Sequence, residues 1–229
     1  MMNRDSQFVA KPFQKIEQRF FVKICGIRDI QIAQVCIDAG ADAIGFVLAD
    51  GSPRSISLEC AIEIQSDLPQ TISSIAVVRN LAEDDSTLVQ WTGDVQFHGE
   101  ESIEFVRRAV LPKRLIIKAL SGNVQEILKW DAVREVDALL VDGSVAGSGN
   151  AHDSAWLEQL AALRPTLKKP LILAGGLTPE NVGAAIKLVK PAGVDVSSGV
   201  EIARGVKDAG LIRAFIAAAR EAHDSSASN

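Results

Sequence analysis

Eight short runs of apolar, often β-branched residues recur along the chain, each followed by a longer amphipathic stretch, and no other feature constrains the fold as strongly. The runs are Phe21–Ile24, Ala43–Val47, Ile75–Val78, Val95–Phe97, Leu115–Ala119, Ala138–Val141, Leu171–Ala174 and Val194–Val196. Nearly continuous apolarity over so few residues suits strands buried on both faces of a parallel sheet. Between them lie helical patterns. Ile30, Ala33, Gln34 and Ile37 set one face, and Leu58, Ile62 and Leu68 set another after a capping Ser57. Thr178-Pro179-Glu180 opens a helix with a cap and a proline at its first position, and Ala209–Ala219 forms the last long one.

Strand-to-strand spacing of mostly about 20–30 residues is that of βα units. Eight such units in 229 residues predict an α/β fold, a single-domain (β/α)8 TIM barrel. An open doubly wound sheet fits less well, because no Gly-x-Gly-x-x-Gly follows the first run. The expected organisation is an N-terminal extension over 1–18, the barrel over 19–222 and a polar C-terminal tail over 223–229.

Charge narrows the partners. With 29 acidic and 24 basic residues and a net charge of −5, the chain offers no basic stripe for nucleic acid. No apolar run reaches the roughly 20 residues that cross a bilayer, and residues 1–20 lack the apolar core of a signal peptide. The three cysteines, Cys25, Cys36 and Cys60, show no C-x-x-C spacing, which argues against both zinc and a disulfide framework. A reducing, cytoplasmic location is the default expectation. A small phosphorylated molecule is the expected ligand, and the chain fits a monomer or a homodimer.

In this fold chemistry gathers at the C-terminal strand ends. Those ends read Cys25-Gly26, Ser52-Pro53-Arg54, Gln96-Phe97-His98-Gly99, Asp142-Gly143, Ala174-Gly175-Gly176 and Ser197-Ser198-Gly199. Gly175 and Gly176 after the seventh strand, with Ser198 and Gly199 after the eighth, match the usual phosphate cradle, where bare backbone approaches an anion. Taken singly, the two glycines are equally consistent with a tight turn. Cys25 reads as a buried small hydrophobe or as a functional thiol left accessible by Gly26; Cys36 and Cys60 read as packing residues. Asp142 is a loop cap or a general acid. Arg54 is a solvated loop residue or a fork for a carboxylate. His98 reads first as a packed histidine, and Asp195 points either into the barrel or to its rim, where it can orient substrate hydroxyls.

At these residues the sequence resembles the phosphoribosylanthranilate isomerase family of tryptophan biosynthesis. The matching segments are Lys23-Ile24-Cys25-Gly26, Gly40-Ala41-Asp42-Ala43-Ile44-Gly45-Phe46, Ser52-Pro53-Arg54, Gln96-Phe97-His98-Gly99-Glu100 and Leu139-Leu140-Val141-Asp142. They continue with Ala174 to Val182, Val194 to Glu201 and Gly205-Val206-Lys207-Asp208, collinear over about residues 20–218. The resemblance implies Cys25 as general base, Asp142 as general acid, Arg54 as carboxylate ligand and Gly175, Gly176, Ser198 and Gly199 as the phosphate site. It further implies an Amadori rearrangement of N-(5-phospho-β-D-ribosyl)anthranilate that needs neither a metal nor a redox cofactor.

Two places depart from the family pattern. Ala146 to Ser154 replaces a Gly-Gly-Thr-Gly stretch followed by Phe-Asp-Trp, and Arg79 stands where a small apolar residue is common. These departures leave room for two alternatives, a divergent isomerase acting on a related N-glycosylamine and a non-catalytic binder of phosphorylated metabolites.

Overall fold

The computed structural model describes residues 19–143 and 154–227. Eight parallel strands close into a barrel in sequential order: β1 (Phe21–Cys25), β2 (Ala43–Val47), β3 (Ser73–Val78), β4 (Asp94–Phe97), β5 (Ile116–Leu120), β6 (Ala138–Asp142), β7 (Leu171–Ala174) and β8 (Gly193–Val196), which pairs back onto β1. The expected (β/α)8 barrel is therefore the fold, and each apolar run lies within two residues of a strand.

Helices alternate with the strands: α1 (Ile30–Asp38), α2 (Leu58–Ser66), α3 (Thr87–Gln90), α4 (Ile103–Arg108), α5 (Val124–Asp131), α6 (Ser154–Leu163), α7 (Val182–Val189) and α8 (Ala209–Ala227). Side chains alternate across each strand. Ile24, Ile44, Phe46 and Val78 point outward and are sealed under the helices with Trp91 and Phe215. Phe21, Ile75, Leu115, Ile117, Leu140 and Ile172 point inward and fill the barrel. Above that filling the interior turns polar, which locates the site. None of the described helices is long and apolar enough to cross a membrane.

Local chemistry explains most helix starts. Asp29 caps α1 by accepting from the Ile32 N–H at 2.8 Å. Ser57 caps α2, as its sequence suggests, accepting from the Cys60 N–H at 3.2 Å. Four expectations need correction. On α1 the buried residues are Ala33 and Cys36, three apart, so Gln34 lies on the exposed side. On α2 the buried residues are Ala61 and Ile64, which turns Cys60 one position away into solvent. Thr178-Pro179-Glu180 forms a turn ahead of α7, and Asn181 stands at the cap with its Oδ1 accepting from the Thr178 N–H at 2.8 Å. Finally, α8 continues to Ala227, past Ala219 where the sequence pattern places the end of the last helix. Ser225 and Ser226 tolerate this by donating their hydroxyls back to the Glu221 and Ala222 carbonyls. The extension over 1–18 and the loop over 146–153 lie outside the described residues.

After β8 the chain makes a 3-10 turn at Ser198–Val200 and then a small antiparallel hairpin, β9 (Glu201–Ala203) and β10 (Val206–Lys207). This hairpin overhangs one side of the barrel mouth, because Ile202, Ala203 and Arg204 line the same cleft as the strand ends.

Candidate active site

A cleft of about 890 Å3 opens at the C-terminal end of the barrel. It brings together every residue that the sequence singles out for chemistry except Gly199: Cys25, Arg54, Asp142, Gly175, Gly176, Asp195 and Ser198 line it, as do His98 and Arg79. Gly199 sits inside the 3-10 turn that Ser198 begins.

Cys25 ends β1 and Asp142 ends β6. In the closed order β8 and β7 stand between them, so thiol and carboxylate enter one cleft from strand ends three positions apart. Cys25 also belongs to a small apolar cluster with Val47 and Val77, against which Ala49 packs. One wall of the cleft is thus apolar, and the Cys25 side chain is part of it. Cys25 is only 7% exposed. Burial pushes its thiol up, and the ammonium groups of Lys23 and Lys207 act in the opposite direction without cancelling it.

Asp195 resolves to the interior. It accepts a hydrogen bond of 2.8 Å from Lys23 Nζ, and that lysine is completely buried. His98 is exposed at the rim beside the buried Gln96, with Gln96 Nε2 and His98 Nδ1 3.1 Å apart. Partial loss of water around its ring lowers the imidazole below the ordinary range, an effect that Asp142 partly opposes. The buried Gln96 Oε1 accepts no hydrogen bond among the described residues.

Arg54 differs from the simple picture of a free fork. Its stem lies across Gly26, where an added Cβ would come within 2.9 Å of Arg54 Cδ. Its Nε and Nη2 bind both oxygens of Glu201, at 2.7 and 2.8 Å. Lys207 Nζ also donates to Glu201 Oε1 at 2.9 Å and to the Ser197 carbonyl at 2.9 Å. Burial would raise the Glu201 carboxyl, but Arg54, Lys207 and the Gly205 N–H outweigh it and hold it at about 2. Two cations therefore share one anion at this edge of the cleft.

Sequence reasoning missed Lys23, Glu201 and Lys207. Lys23 carries a signal, being the sole charge in an otherwise apolar strand run. Glu201 and Lys207 carry none of their own, since their roles depend on a hairpin that local sequence does not announce.

After β7, Gly175 and Gly176 take positive φ values of 86° and 57°, a conformation that other residues adopt only with strain. They set bare backbone against the cleft next to the Ser198–Val200 turn, whose first N–H groups have no acceptor within the turn. This is an anion-accepting geometry. Among the described residues no cluster of His, Cys, Asp and Glu is placed to hold a metal ion.

The chain matches known proteins along nearly this whole frame. The profile of the N-(5'phosphoribosyl)anthranilate (PRA) isomerase family matches residues 22–218. The N-(5'-phosphoribosyl)anthranilate isomerase of Moorella thermoacetica is 42% identical over 208 residues, spanning 89% of this chain and 91% of that protein. The crystal structure of phosphoribosyl anthranilate isomerase from Thermotoga maritima superposes with a TM-score of 0.77 at 37% identity, over 88% of this chain and 99% of that one. A structure of a phosphoribosyl anthranilate isomerase in complex with reduced 1-(o-carboxyphenylamino)-1-deoxyribulose 5-phosphate superposes at 0.74 with 36% identity, over 88% and 99% of the two chains. The chain belongs to the N-(5'-phosphoribosyl)anthranilate isomerase family.

Proposed function

We infer that this chain converts N-(5-phospho-β-D-ribosyl)anthranilate into 1-(2-carboxyphenylamino)-1-deoxy-D-ribulose 5-phosphate, a step of tryptophan biosynthesis, with Asp142 as acid and Cys25 as base. The observation that carries this reading is the placement of Cys25 and Asp142 in one cleft, with an apolar wall and a backbone anion cradle.

Substrate polarity fits that layout. The phosphate goes to Gly175, Gly176, Ser198 and Gly199, where neutral N–H donors suffice to hold it. The anthranilate ring lies on Val47, Ala49 and Val77, and its carboxylate turns to the Arg54 edge left over from Glu201. Asp195 stands at the floor of the site, between Lys23 and the sugar. The net acidic chain relies on these local donors rather than on its overall field.

The chemistry then runs by proton transfer. Asp142 in its acid form donates its proton to the furanose ring oxygen. The C1–O bond breaks, and the nitrogen lone pair forms the C1=N bond of a cationic imine. The Cys25 thiolate removes the C2 proton, the C2–H electron pair becomes the C1=C2 bond, and the imine electrons return to nitrogen. The resulting enolamine gains a proton at C1 and loses one from the C2 hydroxyl, leaving the ketone. Proton count in and out is equal, and no electrons leave the substrate. The cationic imine favours thiolate over thiol at Cys25, so charge develops where the base benefits from it.

The test is turnover of freshly prepared phosphoribosylanthranilate, followed by loss of anthranilate fluorescence, for the wild type and Asp142→Asn. Turnover lost in the variant supports the reaction and the acid together. A folded wild type without turnover overturns the reading.

A further inference from the structure

Lys23 takes no part in the steps above, yet it occupies the most demanding position in the site. It lies between Val22 and Ile24 in β1 and is 0% exposed. An ammonium in such surroundings costs several kcal/mol unless it is paired and hydrogen-bonded. Its hydrogen-bond partner is Asp195 Oδ1 at 2.8 Å, and its charge acts on the neighbouring sulfur of Cys25.

The sheet register builds this contact. Lys23 stands opposite Asp195 across β1 and β8, and Cys25 stands opposite Gly45 across β1 and β2. Being two residues apart, Lys23 and Cys25 project to the same face, into the barrel. A Cβ at position 45 would lie 2.9 Å from Cys25 Sγ and 3.1 Å from Lys23 Nζ. Both reactive ends thus converge over a single glycine that leaves them room.

We infer that Lys23, anchored by Asp195, is a positioning residue: its ammonium holds the Cys25 sulfur by a hydrogen bond and balances the charge of the thiolate that takes the C2 proton. The inference rests on Cys25 being the base in the proposed reaction. The free thiol first gives its proton to solvent, and the thiolate then receives the C2 proton, while Lys23 keeps its own throughout.

The surrounding charges are consistent with this role. Cys25 is faced by Lys23 on its own strand, Asp195 on β8, Lys207 on β10 and Arg54 after β2. Burial and Asp195 disfavour the thiolate; Lys23 and Lys207 favour it, Lys23 more strongly. Burial also works against the Lys23 ammonium, but Asp195 and Cys25 outweigh it and keep the group protonated. Asp195 therefore fixes the cation that counters its own repulsion of the sulfur. A lysine–aspartate pair serving only the core would not need its ammonium over the same glycine as the sulfur.

The experiment uses the full chain carrying Cys60→Ser, which removes the exposed thiol; Cys36 is fully buried and pushed up to about 12, so it stays silent. The rate of Cys25 alkylation by iodoacetamide is measured against pH, beside the pH profile of kcat/KM, with Lys23 and with Lys23→Met. Both limbs are expected to move up by about one pH unit or more, and kcat/KM at neutral pH to fall at least about tenfold. The deficit should close above the limb, with KM little changed. Unmoved limbs in a folded Lys23→Met variant overturn the inference. Should that variant not fold, Gly45→Ala asks the same question, because its methyl parts Sγ from Nζ; an unmoved limb there is equally fatal. A shifted alkylation limb in a protein without isomerase activity would keep the Lys23–Cys25 coupling and overturn the role of Cys25 as base.

Discussion

Arg54 and Glu201, 147 residues apart in the chain, meet through two hydrogen bonds of 2.7 and 2.8 Å that tie the loop after β2 to the β9–β10 hairpin. Lys207 adds a third contact to the same carboxylate. The cluster keeps one positive charge in excess, close to Cys25 and at the edge of the cleft.

Glu201→Gln keeps the shape of this cluster and removes its only anion. Two cations are then left facing each other in a largely buried place, which costs about 3 kcal/mol by analogy with broken buried pairs. Because the folded carboxyl sits at about 2 against an ordinary 4.5, its contribution is fully present above pH 4.5 and is lost as pH falls toward 2. Urea midpoints of wild type and variant should differ most near neutral pH and converge only as pH approaches 2. An equal gap at both would show that the charge is not what stabilises the hairpin.

Arg54→Met should raise KM for the anthranilate-bearing substrate about ten- to a hundredfold, the loss of one charge-assisted hydrogen bond of roughly 1.5–3 kcal/mol, with a smaller effect on kcat. Arg54→Lys keeps the charge but not the fork and should recover part of the affinity. Steady-state kinetics on the three proteins decide this. An unchanged KM in Arg54→Met would move the carboxylate to another group on the rim, with Arg79 and Arg204 the remaining guanidinium groups of the cleft.

The barrel was legible in the sequence because its strands are buried on both faces, so each shows as an unbroken apolar run. The strand ends were legible for the opposite reason: polar residues and glycine appear where that apolar pattern stops, as at Cys25-Gly26 and Asp142-Gly143. What local pattern could not carry were contacts made by distant segments. The β9–β10 hairpin has strands of three and two residues, too short to show a period, and is held by Glu201 and Lys207 rather than by apolar burial. Cys60 and Gln34 show the same limit on a finer scale, since a difference of one residue turns a helix position by about 100° and decides burial. Lys23 was visible as a charge in an apolar strand, but its meaning needed the neighbouring strands β2 and β8.

Asp142→Asn keeps the size of the side chain and removes its acidic proton. A well-placed general acid contributes about 10²–10⁴-fold, so kcat should fall by that range while KM stays near its wild-type value. Single-turnover measurements separate this from slowed product release. A small drop in kcat would mean that the ring oxygen takes its proton from another donor, and His98, which shares the cleft with Asp142 and feels its charge, is the group to substitute next.

Anion binding at the loops after β7 and β8 can be tested without substrate. Gly199 closes against the loop after β7, where an added Cβ would overlap the Leu177 carbonyl oxygen, so the two halves of the cradle are locked together through this glycine. Inorganic phosphate binds only the folded chain and should raise the thermal midpoint of the wild type with concentration, as mass action requires. Ser198→Ala removes one hydroxyl donor and should shrink that rise without lowering the phosphate-free midpoint. Gly199→Ala should lower the phosphate-free midpoint and abolish the rise, because the turn can no longer seat against Leu177. If phosphate stabilises all three proteins equally, the anion binds elsewhere, and the positive φ values of Gly175 and Gly176 serve only the turn.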